Sequence, residues 1–137
     1  MTTKIEQAQG KTQIALVSIR GRLDASNYQE VINTAKQAIE EGAQNLLIDL
    51  SKLEFMSSSG LIALHSIALL MRGDKPSNPE YGWEAFRALD RDRSSGIQER
   101  VKLFNPQPKV DRSLGMAGMD DFFEIHADIG TAIESFN

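Results

Sequence analysis

Apolar side chains follow two different periods along the chain, and each change of period marks a new element. Residues 12–19 carry nearly consecutive apolar side chains, as in a buried strand, and a weaker, polar strand is predicted at 4–9. Residues 28–39 hold apolar side chains at steps of three and four, which indicates a helix that Gly42 ends. The run at 46–50, Leu-Leu-Ile-Asp-Leu, is typical of a strand covered on both faces.

The second half of the chain continues the alternation of helix and strand. A helix is predicted over 58–72, followed by a short strand at 101–104. A proline suits the first turn of a helix over 108–117. Two phenylalanines and an isoleucine predict a last strand at 122–125, and three- and four-residue steps predict a terminal helix over 129–136.

The resulting order is β-β-α-β-α-β-α-β-α, which predicts one α/β domain spanning residues 1–137. Alternating strands and helices favour a mainly parallel sheet, here mixed because the N-terminal β-hairpin is antiparallel. Gly10 and Lys11 suit the hairpin turn. We expect the strand at 46–50 to be central in the sheet. Polar stretches predict a corner at Gly21–Asp24 and a loop between residue 50 and the serines that begin at Ser57.

Residues 73–98 do not fit this order. They hold two of the four prolines and the only tryptophan, and they are far longer than the usual 2–6 residues or so of an αβ connection. We interpret them as an insertion or a long loop that folding does not need. Trp83, Phe86 and Leu89 can share one side of a short helix. That helix is either a surface excursion or a partner-binding or lid element.

The composition and net charge of the chain exclude or disfavour several classes of protein. The chain has 137 residues, 41% of them hydrophobic and 25% charged, which is a globular balance. The net charge of −4 disfavours a nucleic-acid-binding protein, which needs a basic face. With no cysteine, disulfides, thiol catalysis and Cys-ligated zinc are excluded. No secretory signal is evident, and the apolar helix Leu61–Met71 is too short for membrane insertion, so a cytoplasmic location is expected.

Catalytic motifs are sparse. His65 and His126 are far apart, and neither lies in a metal-binding motif. We interpret His65, in an apolar helix, as a packed and hydrogen-bonded side chain. Ser58 lacks the Gly-x-Ser-x-Gly pattern of a nucleophile elbow, and there is no phosphate-binding glycine loop. We therefore expect no catalytic residue, no metal and no cofactor, and no enzyme activity.

The serines at 57–59 have two interpretations. They can cap the following helix, because serine oxygens accept hydrogen bonds from the free N–H groups of a first turn. They can also carry a phosphate, because the positive end of the helix dipole favours an anion. The local sequence alone favours capping.

Residues 48–64, IDLSKLEFMSSSGLIAL, resemble the signature of the STAS domain, the family of anti-sigma factor antagonists. In that signature an apolar strand ends in Asp-Leu-Ser, and Asp-Ser-Ser-Gly-Leu opens a helix. Gly21–Asp24 is similar to the family's Gly-x-Leu-Asp corner, and the segment from Val101 to Asp121 resembles its last βαβ portion. The resemblance covers the chain apart from 73–98.

The resemblance implies that Ser58 is a regulatory phosphoacceptor, with Ser57 and Ser59 as alternative acceptors. The family's aspartate before that serine is replaced here by Ser57. The implied partner-facing residues are Asp24, Ser57, Ser58, Ser59, Gly60 and Leu61.

The implied mechanism is partner switching. The unmodified antagonist binds an anti-sigma factor that is itself a serine kinase, which frees a sigma factor for transcription. Phosphorylation ends the complex and a phosphatase restores it. The alternative is a non-phosphorylated STAS scaffold subunit of a larger signalling or lipid-transport assembly, which the serine at 57 and the insertion favour.

Overall fold

The computed structural model describes residues 1–8, 13–74, 83–92 and 96–136. Within these residues the elements follow each other in this order: β1 (Thr2–Ala8), β2 (Ile14–Leu23), α1 (Tyr28–Glu40), β3 (Asn45–Met56), α2 (Ser58–Met71), α3 (Trp83–Asp92), β4 (Val101–Phe104), α4 (Pro108–Met116), β5 (Ile125–His126) and α5 (Ile129–Glu134).

The described strands form one mixed sheet in the order β1-β2-β3-β4-β5. β1 and β2 are antiparallel, and every later pair is parallel. The predicted α/β class, the N-terminal hairpin pairing and the central position of the strand at 46–50 are therefore confirmed. The predicted turn at Gly10 and Lys11 lies outside the described residues.

β3 is central because both of its faces are apolar. Leu46, Ile48 and Leu50 are fully buried in the main core, which α1 and α2 cover. Leu47 points to the other face and packs in a smaller cluster with Phe136, which follows α5. Consecutive apolar residues thus serve two separate hydrophobic clusters, as expected for a strand inside an α/β sheet.

Two predicted polar stretches are in fact strand. β2 continues to Leu23 and β3 continues to Met56, so the predicted corner at 21–24 and the predicted loop after residue 50 are wrong. The strands stay paired through two register shifts, at Ser18/Arg20 and at Gly21/Arg22. These irregularities change the apolar spacing from two to three, which hides the strand from a period-two pattern.

The predicted strand at 122–125 is also wrong in its first half. Only Ile125 and His126 form the strand. Phe122 and Phe123 precede it in a turn, and the backbone N–H groups of both phenylalanines donate to the Met119 carbonyl. Both rings are fully buried, 4.8 Å apart and edge-to-face. The two phenylalanines therefore pack in the core from a turn and do not belong to a strand.

The segment at 73–98 contains a helix, α3, which packs against α2. Leu89 is 5% exposed and belongs to the main core. Asp92 Oδ2 lies 2.7 Å from His65 Nε2. Arg72 holds the same carboxylate with two bonds of 3.0 and 2.9 Å. The side chains of Trp83 and Phe86 lie outside the described residues.

His65 is a packed and hydrogen-bonded histidine, as predicted. Its side chain is 1% exposed, and burial lowers the pKa of His65 below its usual value of 6.5, although Asp92 opposes that shift. The neutral ring therefore donates from Nε2 to the Asp92 carboxylate. Phe122 packs edge-to-face on the other side, 5.7 Å away.

We expect the domain to fold without the insertion but to be less stable. In a variant with residues 75–96 replaced by a short Gly/Ser linker, the core loses the Leu89 side chain and His65 loses its acceptor, Asp92. An unpaired buried donor costs about 1–3 kcal/mol. Urea unfolding followed by circular dichroism should show one cooperative transition at a lower midpoint. Absence of a cooperative transition would contradict this prediction. Asp92→Asn in the full chain measures the combined contribution of the Asp92 contacts with His65 and Arg72.

Candidate functional site

The ends of β2 and β3 meet the start of α2 at the carboxyl edge of the sheet. The backbone N–H of Ser57 donates to the carbonyl of Leu23 over 2.9 Å. Asp24 and Ser58 each directly follow one member of this bonded pair. The fold thus brings together two segments, Gly21–Asp24 and Ser57–Leu61, that are more than thirty residues apart in the sequence.

Gly60 allows α2 to approach this edge closely. A Cβ atom at residue 60 would lie 2.4 Å from Met56 Cγ and 3.0 Å from Leu23 Cγ, both closer than van der Waals contact. The N–H groups of Gly60 and Leu61 both donate to the Ser57 carbonyl. The glycine therefore serves packing: without a side chain, the first helical turn rests directly on the ends of two strands.

The three serines differ in exposure. Ser58 is exposed, whereas Ser57 and Ser59 are partly buried. Ser57 occupies the N-cap position, but its side chain makes no capping hydrogen bond. Its Oγ atom is buried and has no hydrogen-bond partner among the described residues. The hydroxyl of Ser57 therefore does not cap the helix, and Ser58 is the most accessible of the three.

The remaining predicted site residues fall into two groups. Gly60 is buried, and Leu61 is only 9% exposed and belongs to the main core, so these two residues position the helix by packing against the core. Asp24 is partly exposed. Its Oδ1 accepts hydrogen bonds from the side chain and the backbone N–H of Ser26, which lower the pKa of the Asp24 carboxyl. These bonds favour the ionised form of the Asp24 carboxyl, which directly follows the residue that bonds the N-cap of α2.

Sequence reasoning missed a cation at the same edge. Arg22 is paired with Phe55 across β2 and β3, and its guanidinium carbon lies 4.3 Å from the centre of the ring. The packing of a guanidinium on an aromatic face is favourable. Nothing in the sequence identifies this pair, because it depends on the register shift that displaces β3 relative to β2.

Ser58 presents an exposed hydroxyl at the first position of α2. Both histidines bond carboxylates: His65 Nε2 lies 2.7 Å from Asp92 Oδ2, and His126 Nε2 lies 3.1 Å from Glu124 Oε1. In the described part of the chain, no group of three or more His, Cys, Asp or Glu side chains is placed to hold a metal ion. An exposed hydroxyl in the first turn of a long helix suits an added anion.

The described residues also contain no helix that is both long and apolar enough to cross a bilayer.

Comparison with known proteins agrees with the resemblance noted in the sequence. The STAS domain model matches residues 6–73, which include β2, β3 and α2. An anti-sigma factor antagonist from Mycobacterium paratuberculosis is 19% identical, with a TM-score of 0.64 over 96% of this chain and 92% of that one. No match was found among curated proteins.

Two structures of SpoIIAA share the fold as well. The anti-sigma factor antagonist SpoIIAA in its unphosphorylated form is 19% identical, with a TM-score of 0.60 over 96% of this chain and 93% of that one. The Bacillus cell fate determinant SpoIIAA in its phosphorylated form is 18% identical, with a TM-score of 0.53 over 96% of both chains. At these identities the likeness establishes a common fold.

Gly60→Ala should destabilise the domain, because its Cβ atom would overlap Met56 and Leu23. Overpacking of this kind costs about 1–3 kcal/mol. The matched control is Gly115→Ala in α4, where the nearest atom to the added Cβ is 3.9 Å away. That control should stabilise the helix by about 0.5–1 kcal/mol. Urea unfolding gives the change in the free energy of unfolding for each variant. Equal changes in Gly60→Ala and Gly115→Ala would refute the packing role of Gly60.

Proposed function

Because this chain belongs to the STAS domain family, whose model it matches over residues 6–73, we propose that it is an anti-sigma factor antagonist-like binding module. On this proposal it binds an anti-sigma factor that is also a serine kinase, and phosphorylation of Ser58 switches binding off. A phosphatase restores the active form. The protein itself acts in the cytoplasm as a regulator of transcription and catalyses no reaction.

The exposure of Ser58 at the first position of α2 carries this proposal. The residues behind it, from Gly60 to Ala68, are all buried, so the body of α2 offers little to a partner. A partner that docks at the carboxyl edge of the sheet would meet Ser58 and Asp24. Ser57 and Ser59 are weaker acceptors on this view, since both are partly buried.

A phosphate on Ser58 would change the surface without changing the fold. It adds about −1.5 to −2 charges at neutral pH. The N-terminus of α2 tolerates this charge locally. The charge also adds to that of Asp24, so the surface offered to a partner becomes strongly negative and strongly hydrated, which opposes docking. The two recorded forms of SpoIIAA, unphosphorylated and phosphorylated, are consistent with such a cycle in a protein of the same fold.

The second candidate is a constitutive scaffold in a larger signalling or lipid-transport assembly. Two observations favour it. Ser57 stands where the family signature has an aspartate, so a family kinase would lack one acidic recognition residue. α3 is an additional element docked on α2 through Asp92, and it enlarges the surface available to a second partner.

The two candidates differ in what phosphorylation does to affinity. The unmodified chain and the chain enzymatically phosphorylated at Ser58 are titrated against the partner kinase by isothermal calorimetry. We expect the phosphorylated form to bind at least tenfold more weakly, because its charge is desolvated only in the complex. Ser58→Ala should bind normally and resist inactivation by kinase and ATP. Equal affinities before and after modification would reject the switch and leave the scaffold.

Ser57→Asp and Ser59→Ala provide the controls. Ser57→Asp restores the acidic residue of the family signature and should accelerate phosphorylation at Ser58 if the kinase reads that position. Ser59→Ala should leave both phosphorylation and binding unchanged. Mass mapping of the peptide that contains residues 52–72 identifies the modified serine. Modification at residue 59 in the unaltered chain would contradict the assignment of Ser58.

A further inference from the structure

The second face of the sheet is only partly covered. Near the start of β2 and β3, the segment from α5 to Phe136 packs over Ile14 and Leu47. Towards the amino end of β1, which is antiparallel, and further along β2 and β3, that face is open and contains a cavity of about 510 Å³. This volume lies within the 300–1,000 Å³ or so of typical small-molecule sites.

The strand register places three hydrogen-bond donors in one row across this cavity. Thr2 of β1 is opposite Arg20 of β2, and Arg20 is opposite Lys52 of β3. Residues that carry a hydroxyl, a guanidinium and an ammonium group are therefore paired across neighbouring strands. All three residues line the same cavity.

The next row of the sheet is electrostatically balanced. Lys4 is opposite Ser18, and Ser18 is opposite Asp49. Lys4 forms an ion pair with Glu6 at 2.8 Å. The Asp49 carboxylate accepts a hydrogen bond from the Ser51 N–H at 2.9 Å. The acidic groups of the cavity wall therefore have partners within their own row or strand.

Arg20 and Lys52 have no such compensation. Like charges directly opposite each other on neighbouring strands destabilise a sheet. Among the described residues, no carboxylate lies within ion-pair distance of either side chain. The chain as a whole carries a net charge of −4, so this pair is a local concentration of positive charge in an acidic protein. An anion between the two cations would remove their repulsion.

We propose that this cavity binds a small organic anion, and that a phosphomonoester group fits it best. The dianionic phosphate would lie between Arg20 and Lys52, where a guanidinium can donate two parallel hydrogen bonds. The Thr2 hydroxyl adds a neutral donor. The organic part of the ligand would rest on Leu16, with Ser18 and Asp49 able to bond its polar groups. This site is separate from Ser58 and does not depend on the proposed switch.

Titration of the ¹⁵N-labelled chain with phenyl phosphate, followed by NMR at constant ionic strength, tests the proposal. We expect saturable shifts of amide signals in β1, β2 and β3, centred on residues 2, 20 and 52. Arg20→Gln and Lys52→Gln should each weaken binding at least fivefold. Lys36→Gln on the exposed side of α1 removes the same charge and should leave binding unchanged.

Titrations with inorganic phosphate and with benzoate measure separately what the organic group and the phosphate group of the ligand contribute to binding. We expect inorganic phosphate to bind at the same residues more weakly than phenyl phosphate, and benzoate, a monoanion, to bind more weakly than phenyl phosphate. Equal binding of both phosphates would overturn the contact with Leu16. Equal weakening by Lys36→Gln, or linear shifts without saturation, would overturn the site.

Urea unfolding of the unliganded variants provides a second measurement. Removal of one of two opposed cations should leave the midpoint unchanged or raise it. A clear loss of stability in Arg20→Gln or Lys52→Gln would overturn the claim that these cations repel each other without a ligand.

Discussion

The close approach of α2 to the carboxyl ends of β2 and β3 is the constraint on which the site depends. It exists because residue 60 has no side chain: Met56 and Leu23 occupy the space that a Cβ atom would need. The bond from the Ser57 N–H to the Leu23 carbonyl then fixes the start of the helix against the end of β2. Asp24 and Ser58 each directly follow one residue of this bonded pair.

The same constraint explains why Ser58 carries the most accessible of the three serine hydroxyls. α2 is buried from Gly60 to Ala68, and its far end is held by the Arg72–Asp92–His65 contacts with α3. A helix enclosed along most of its length exposes chiefly its first turn. On the proposed function, modification there would alter charge at the surface and leave core packing unchanged, so that regulation would act on docking rather than on folding.

The sequence predicted the elements with simple periods and missed the features that depend on tertiary register. The apolar run at 46–50 identified the central strand, and the spacing after Ser58 identified α2. The extension of β3 to Met56 was hidden because the register shifts change the apolar spacing. The partner of His65 lies 27 residues away on a helix of the insertion, and no local pattern links the two. The row of Thr2, Arg20 and Lys52 likewise exists only once the strands are aligned.

The free energy of unfolding of the Ser58-phosphorylated chain, relative to the unmodified chain, tests most directly whether the switch acts at the surface. Urea denaturation of both forms at neutral pH gives this difference. We expect a change of no more than about 1 kcal/mol, because an exposed anion at a helix N-terminus interacts weakly and favourably with the dipole. We also expect an unchanged m-value, because the buried surface is the same. A loss of several kcal/mol, or a changed m-value, would show that phosphorylation disrupts the packing of α2 and would contradict a switch that acts at the surface.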